Sequence, residues 1–137
     1  MEHFEVIKDE QETLAIIIRK YFFTEGIKFF TPDDFSQQLA YMHHKKGKKI
    51  KPHIHNAVKR EVHFTQEVLF LKRGKLKVDL YRYDQSHLST HILDAGDIIL
   101  LAGGGHGIEV LEDIEMIEVK QGPYAGEMDK THFEGKQ

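Results

Sequence analysis

The sequence has no cysteine and no long apolar run. Without cysteine there can be no disulfide framework, thiolate nucleophile, iron–sulfur cluster or cysteine-ligated zinc, so any metal must be bound by histidine and carboxylate side chains. The longest apolar run, Leu14 to Ile18, is too short to cross a bilayer, and residues 1–10 are too acidic and polar for a secretory signal. We therefore expect neither a membrane span nor export, and predict a cytoplasmic protein.

An excess of positive charge is also lacking, since 19 Lys and Arg stand against 22 Asp and Glu and leave a net charge of −3. Such a surface does not attract a polyanion as a whole, so nucleic acid is not an expected partner. At 137 residues, with 40% hydrophobic and 30% charged residues, the chain has the composition of one folded domain. Its unusual feature is ten His, the commonest metal-binding residue type.

Apolar spacing predicts a short N-terminal α-helix over residues 9–23, with acidic residues early and basic residues late, although the isoleucine run within it favours a strand. From residue 27 to residue 121 the pattern changes to short strands separated by turn signals, two of which are Arg73-Gly74 and Glu112-Asp113. The predicted strands are 27–30, 37–44, 49–55, 61–72, 75–83, 87–93, 97–101, 107–111 and 115–121. This predicts a single all-β sandwich or barrel with a core at about 27–121, followed by an extension, 122–137, that wraps the surface or frays.

Two of these strands are apolar on both faces. Val68–Leu71 and Ile98–Leu101 show no alternation, whereas Lys75–Tyr81 alternates cleanly with Leu76, Val78 and Leu80 on one face. The doubly apolar strands need cover on both sides, from the barrel interior on one side and from a second sheet, a helix or a partner subunit on the other. We predict a homodimer whose interface uses the outer faces near Val68–Phe70 or Ile98–Leu100.

Four residues have the pattern of a metal centre. His53 and His55 lie two apart on a predicted strand, so that both imidazoles share one face, while Glu67 opens an apolar strand and His106 follows another. A closed barrel could bring all four together. Three imidazoles and one carboxylate suit one divalent ion, Zn, Fe, Mn, Ni or Co, and an octahedral site would leave two positions for water or substrate.

The same residues resemble the two motifs of the cupin superfamily. Gly47, five residues and His53-Ile-His55 match the start of the first motif, and Glu67, six residues and Gly74 match its end. Eleven residues separate His55 from Glu67 where the motif has three or four, which we interpret as a longer loop or hairpin; Glu61 is nearer but fails the spacing to Gly74. Gly96 to His106 resembles the second motif, with the proline absent and one residue fewer than the motif has.

The resemblance implies a double-stranded β-helix, or jelly roll, and a metal bound by His53, His55, Glu67 and His106. It also implies a metal-dependent enzyme acting on a small polar or anionic molecule, most typically an isomerase of sugars or nucleotide sugars. An Fe-dependent dioxygenase and a non-catalytic metal- and sugar-binding module are the alternatives, because one fold supports many functions.

Further polar residues flank this constellation. Lys59 and Arg60 could attract an anionic or polyol ligand, and Glu61 and His63, which share strand parity with Glu67, could transfer protons beside it. A solvated hairpin would carry the same residues. Glu118 and Lys120 share one strand face, either as an inward ion pair lining a pocket or as an outward solvated pair.

Overall fold

The structure, a computed structural model, describes residues 3–135 and consists mainly of antiparallel strands. In chain order these are β1 (Phe4–Asp9), β2 (Glu12–Ile18), β3 (Gly26–Phe29), β4 (Ala40–His43), β5 (Glu67–Tyr81), β6 (His87–Asp94), β7 (Ile98–Leu101) and β8 (Gly105–Lys120), followed by a 3-10 turn, Gly126–Asp129. The predicted all-β class is confirmed. Within residues 3–135, no helix has the length and apolarity needed to span a membrane.

The prediction of an N-terminal α-helix over residues 9–23 is wrong, because this stretch contains β2 and the turn that joins it to β1. β2 lies between β1 and β7, and Leu14 to Ile18 are all buried. A strand covered on both faces has a continuous apolar run instead of alternation, which is why its spacing resembled that of a helix. The β-branched run Ile16–Ile18 fits the strand better than the helix.

Six strands form one antiparallel sheet. β1, β2 and β7 are adjacent in this order; β7 pairs with the first part of β5 and β6 with its last part. β8 runs along the opposite edge of β5 for almost its whole length. β3 and β4 pair separately. Among the described residues β8 pairs with no strand other than β5, so it leaves one long edge of the sheet open.

The β5–β8 pair bends at a corner, at the place where the sequence pattern predicted two turns between separate strands. Arg73-Gly74 and Glu112-Asp113 do not end strands; they face each other inside β5 and β8, where the register shifts. Gly74 has a φ of +93°, and a Cβ there would collide with the carbonyl oxygen of Asp113. The glycine therefore permits a left-handed residue and a close backbone approach at one point.

This corner gives the sheet the shape of a curled half-barrel. A straight strand of 15 residues would separate its ends by about 46 Å, at roughly 3.3 Å per residue. In this sheet Glu67, which begins β5, and Tyr81, which ends it, line the same cavity. The inner face between them is the core, made of Leu71, Leu76 and Val78 with their neighbours on β2 and β7.

The outer face of the sheet is covered by the chain itself. Ile16 and Leu100 are fully buried there against Phe30, Phe35 and Leu39, which lie in or near the connection between β3 and β4. Ile99 packs in the inner core and Leu100 packs on the outer face, so the prediction that Ile98–Leu101 is covered on both sides is confirmed. Because the cover comes from the same chain, this face does not need a second subunit to bury it. The dimer interface at Ile98–Leu100 was predicted from that need and stays a prediction without this support.

The connection from β4 to β5 contains no helix or strand, so the predicted strand at 49–55 does not form and the predicted strand 61–72 begins at Glu67. Residues 45–64 of this connection are all exposed. The described residues therefore form a curled half-barrel, and the predicted jelly roll is not confirmed.

Candidate functional site

A cavity of about 670 Å³ lies where the two ends of the curled sheet meet. Its wall combines polar side chains from β5 and β8 with aromatic rings and the glycine run that precedes β8. The main lining residues are His63, Glu67, Tyr81, Tyr83, Gly103, Gly104, His106, Glu118, Lys120, Asp129, His132 and Phe133.

Glu67 and His106 meet in this cavity, with His106 Nε2 3.0 Å from Glu67 Oε1. In the strand register they are far apart, because Glu67 pairs with Lys120 at one end of β8 and His106 pairs with Leu80 at the other. The curl of the sheet brings them together. Near His106, Gly104 permits the close approach of the chain to the end of β5, since its φ is +65° and a Cβ there would collide with the Tyr81 carbonyl oxygen.

Glu67 is held in its ionised form. The hydrogen bond from His106 lowers the pKa of its carboxyl to about 2, helped by a hydrogen bond from Glu118 and the charge of Lys120, whereas burial acts in the opposite direction. The Lys120 ammonium lies 3.9 Å from Glu67 Oε2. The Glu67 side chain is only 12% exposed, so these contacts act with little screening by water.

The pKa of the Glu118 carboxyl is shifted in the opposite direction, upwards. This carboxyl donates a hydrogen bond to Glu67, and this bond, together with burial and repulsion from the Glu67 charge, raises the pKa of Glu118. Lys120 Nζ lies 3.8 Å from Glu118 Oε1. Of the two arrangements open for Glu118 and Lys120, the structure shows the inward one. Two neighbouring carboxyl groups with pKa values pushed apart are typical of acid–base sites.

The other two predicted metal ligands lie elsewhere. His53 and His55 are exposed in the β4–β5 connection, with their ring centroids 5.1 Å apart and His53 Nδ1 2.9 Å from the Lys51 carbonyl oxygen. In the part of the chain that the structure describes, no three His, Asp or Glu side chains are placed to hold a metal. The four residues do not fit a metal in this arrangement. The four-residue centre stays a prediction that requires residues 53–55 to move.

The residues predicted to bind or transform a ligand fall into two groups. Lys59 and Arg60 are exposed in the connection and do not line the cavity. Glu61 is likewise outside it, 3.8 Å from His63 Nε2, and both of these side chains are more than three-quarters exposed. His63 does line the cavity. Glu61 and His63 both share strand parity with Glu67, but only His63 reaches the cavity.

Sequence reasoning missed the part of the cavity that the C-terminal extension supplies. Phe133 packs edge-on against Tyr81 with ring centroids 5.1 Å apart, and Asp129 accepts a hydrogen bond from Thr65. The extension thus crosses from the end of β8 to the end of β5, consistent with the expectation that it wraps the surface. An aromatic residue in a glycine-containing tail was the one available signal.

No protein-family model, curated protein or solved structure matches this chain.

Proposed function

We propose that the cavity binds a small polar molecule and transfers protons on it, with Glu118 and His106 as the acid–base groups. The observation that carries the proposal is the contact of one ionised carboxylate, Glu67, with both of them. With a pKa near 2, Glu67 is too weak a base to accept a proton at neutral pH. Its role is to orient its two neighbours.

Each neighbour has a defined task. Glu118, whose pKa is raised, supplies a proton to an oxygen atom of the bound molecule. Glu67 accepts a hydrogen bond from His106 Nε2–H, which leaves His106 Nδ1 as the atom that accepts a proton. The Lys120 ammonium adds positive charge where an oxygen becomes negative.

These groups suit isomerisation next to a carbonyl. His106 removes a proton from the hydroxyl-bearing carbon beside the carbonyl while Glu118 protonates the carbonyl oxygen, which gives an enediol. His106 then delivers its proton to the former carbonyl carbon, and Glu118 takes the proton of the hydroxyl on the neighbouring carbon, so that the carbonyl has moved by one carbon and both groups are restored. No proton or electron is gained overall. Free sugars in their open-chain form and nucleotide sugars that carry a keto group have such a carbonyl, and the resemblance to cupins supports sugars and nucleotide sugars as the substrate class.

The resemblance also supports a second proposal, a divalent metal bound by His53, His55, Glu67 and His106. The meeting of Glu67 and His106 is the observation in its favour, since one carboxylate oxygen and one imidazole nitrogen are ligands for Zn, Fe, Mn, Ni or Co. Metal content measured by mass spectrometry tests it. Glu67→Gln should lower the content sharply, whereas Glu61→Gln, the exposed control, should leave it unchanged.

Proton transfer is tested by incubating the protein with sugar phosphates and nucleotide sugars in D₂O and following isomer formation and deuterium uptake by mass spectrometry. We expect Glu118→Gln to abolish both while binding persists. Glu115→Gln is the matched control, because Glu115 is on the same strand but pairs with Arg73 away from the cavity. Binding without turnover would support a non-catalytic module instead, and consumption of oxygen would support the dioxygenase alternative.

A further inference from the structure

The open edge of β8 is the largest unpartnered feature of the sheet. β8 spans 16 residues and pairs only with β5 among residues 3–135. Ile108 and Val110, which pair with the buried Val78 and Leu76, lie on the inner face of the sheet yet remain 42% and 54% exposed. A long edge of this kind readily accepts another strand.

This edge is acidic. Glu109, Glu112, Asp113, Glu115 and Glu118 lie on β8, and no Lys or Arg occurs between residues 105 and 119. Glu115 pairs with Arg73, whereas among residues 3–135 no ion pair joins Glu109, Glu112 or Asp113 to another side chain. Two copies of β8 side by side would bring like charges together, so β8 does not fit against itself.

The β4–β5 connection has the complementary properties. Between residues 49 and 62 it carries four Lys and Arg, two His and one acidic residue, Glu61. In this range the even-numbered positions are mainly apolar and the odd-numbered positions mainly basic or imidazole, a period of two that is typical of a strand. The apolar side chains are all exposed: Ile50, Ile54, Val58, Val62 and Phe64.

The last residues of this connection are already engaged in their own chain. Thr65 donates a hydrogen bond to Asp129, and the Phe64 ring lies 6.3 Å from that of Tyr83, both at the cavity. Residues 49–62 remain exposed although they are tethered beside the end of β8, where the Gln121 amide donates to the Gln66 carbonyl oxygen over 2.9 Å.

We propose that residues 49–62 of one copy add as a strand to the β8 edge of a second copy, reciprocally, in a two-fold dimer. The even-numbered face packs beside Ile108 and Val110, which covers the open side of the half-barrel. The basic odd-numbered face then lies on the outer face beside Glu109. Main-chain hydrogen bonds between the added strand and β8 supply the affinity. The register is set by the attraction between basic and acidic side chains and by the requirement that the apolar face points inward. This inference does not rest on the proton-transfer chemistry proposed for the cavity.

Charge reversal tests the partnership. Lys49→Glu with Lys51→Glu, or Glu109→Lys with Glu112→Lys, should each weaken the dimer at least about tenfold in sedimentation equilibrium, and the four changes together should restore it. Lys8→Glu with Lys20→Glu is the control for the segment variant, with the same change in net charge on β1 and after β2. Circular dichroism and urea unfolding show that each variant is folded.

Cross-linking identifies the docked strand, since the chain has no cysteine of its own. Val58→Cys and Val110→Cys proteins, made separately and mixed, should form a mixed cross-linked pair with a short bis-maleimide. A monomer at micromolar concentration would overturn the proposal, as would a dimer that ignores both charge reversals. An intramolecular cross-link in the doubly substituted chain, without the mixed pair, would show closure on the same chain and overturn it too.

Discussion

Replacing Glu67 by glutamine should change how the stability of the protein depends on pH. The carboxyl of Glu67 is ionised in the folded state because His106 donates a hydrogen bond to it, which lowers its pKa to about 2 from an ordinary value of 4.5. A carboxyl with a lowered pKa stabilises the fold when the solution pH is above its unfolded pKa, and the stabilisation disappears as the pH falls through the folded pKa.

The size of the effect follows from the same pKa values. At about 1.4 kcal/mol per pH unit, a carboxyl at about 2 instead of 4.5 adds up to about 3 kcal/mol to the free energy of unfolding. This contribution is complete above about pH 5 and is lost between pH 4.5 and 2. Glu118 acts in the opposite sense, because a raised pKa stabilises the fold below the unfolded value and loses that effect as the pH rises through the folded value.

Urea unfolding from pH 2 to pH 7 measures the difference between wild type and Glu67→Gln. We expect the wild type to lose up to about 3 kcal/mol more than the variant on going from pH 5 to pH 2. Glu115→Gln, on an exposed carboxyl paired with Arg73, should follow the wild-type curve. Parallel curves for wild type and Glu67→Gln would refute the argument that Glu67 is held ionised by its neighbours.

Three further predictions concern the fold. Gly74→Ala should lower the free energy of unfolding by about 2 kcal/mol or more in urea titrations, because the Cβ collides with Asp113, whereas Gly47→Ala, with a similar φ of +94° and open surroundings, should cost only about 1 kcal/mol. Leu100→Ala should cost about 2 to 5 kcal/mol without changing the sedimentation coefficient, since the chain itself covers this residue; dissociation of a dimer would contradict this. Phe133→Ala should speed exchange of the amides of residues 126–135, measured by hydrogen exchange, while leaving the core amides protected; unchanged tail exchange would mean that the Tyr81 contact does not hold the extension.

Local patterns in the sequence were sufficient for the features that depend on one strand at a time. The alternation of Leu76, Val78 and Leu80 identified an inner face that the structure buries completely. The unbroken apolar run Ile98–Leu101 indicated cover on both sides. Both inferences hold because strand geometry repeats every two residues, so the pattern carries the information about burial.

Patterns failed where two different structures share one pattern. The run Leu14–Ile18 fitted helical spacing because a strand buried on both faces has no period of its own. Gly74 was interpreted as part of a turn because glycine marks any left-handed residue, whether a chain reversal or a bend within a strand. The sequence did not decide whether Glu118 points inward or outward. A period of two separates the two faces of a strand, but it does not say which face is inside.

The sequence by itself therefore determined the all-β class, the core face of the central strand and the choice of Glu67 and His106 as candidate site residues. Tertiary structure alone decided that these two meet, that Glu118 and Lys120 join them, and that His53 and His55 lie apart from them. The physical reason for the meeting of Glu67 and His106 is the corner in the β5–β8 pair. It depends on a close approach between Gly74 and Asp113, residues 39 positions apart in the chain.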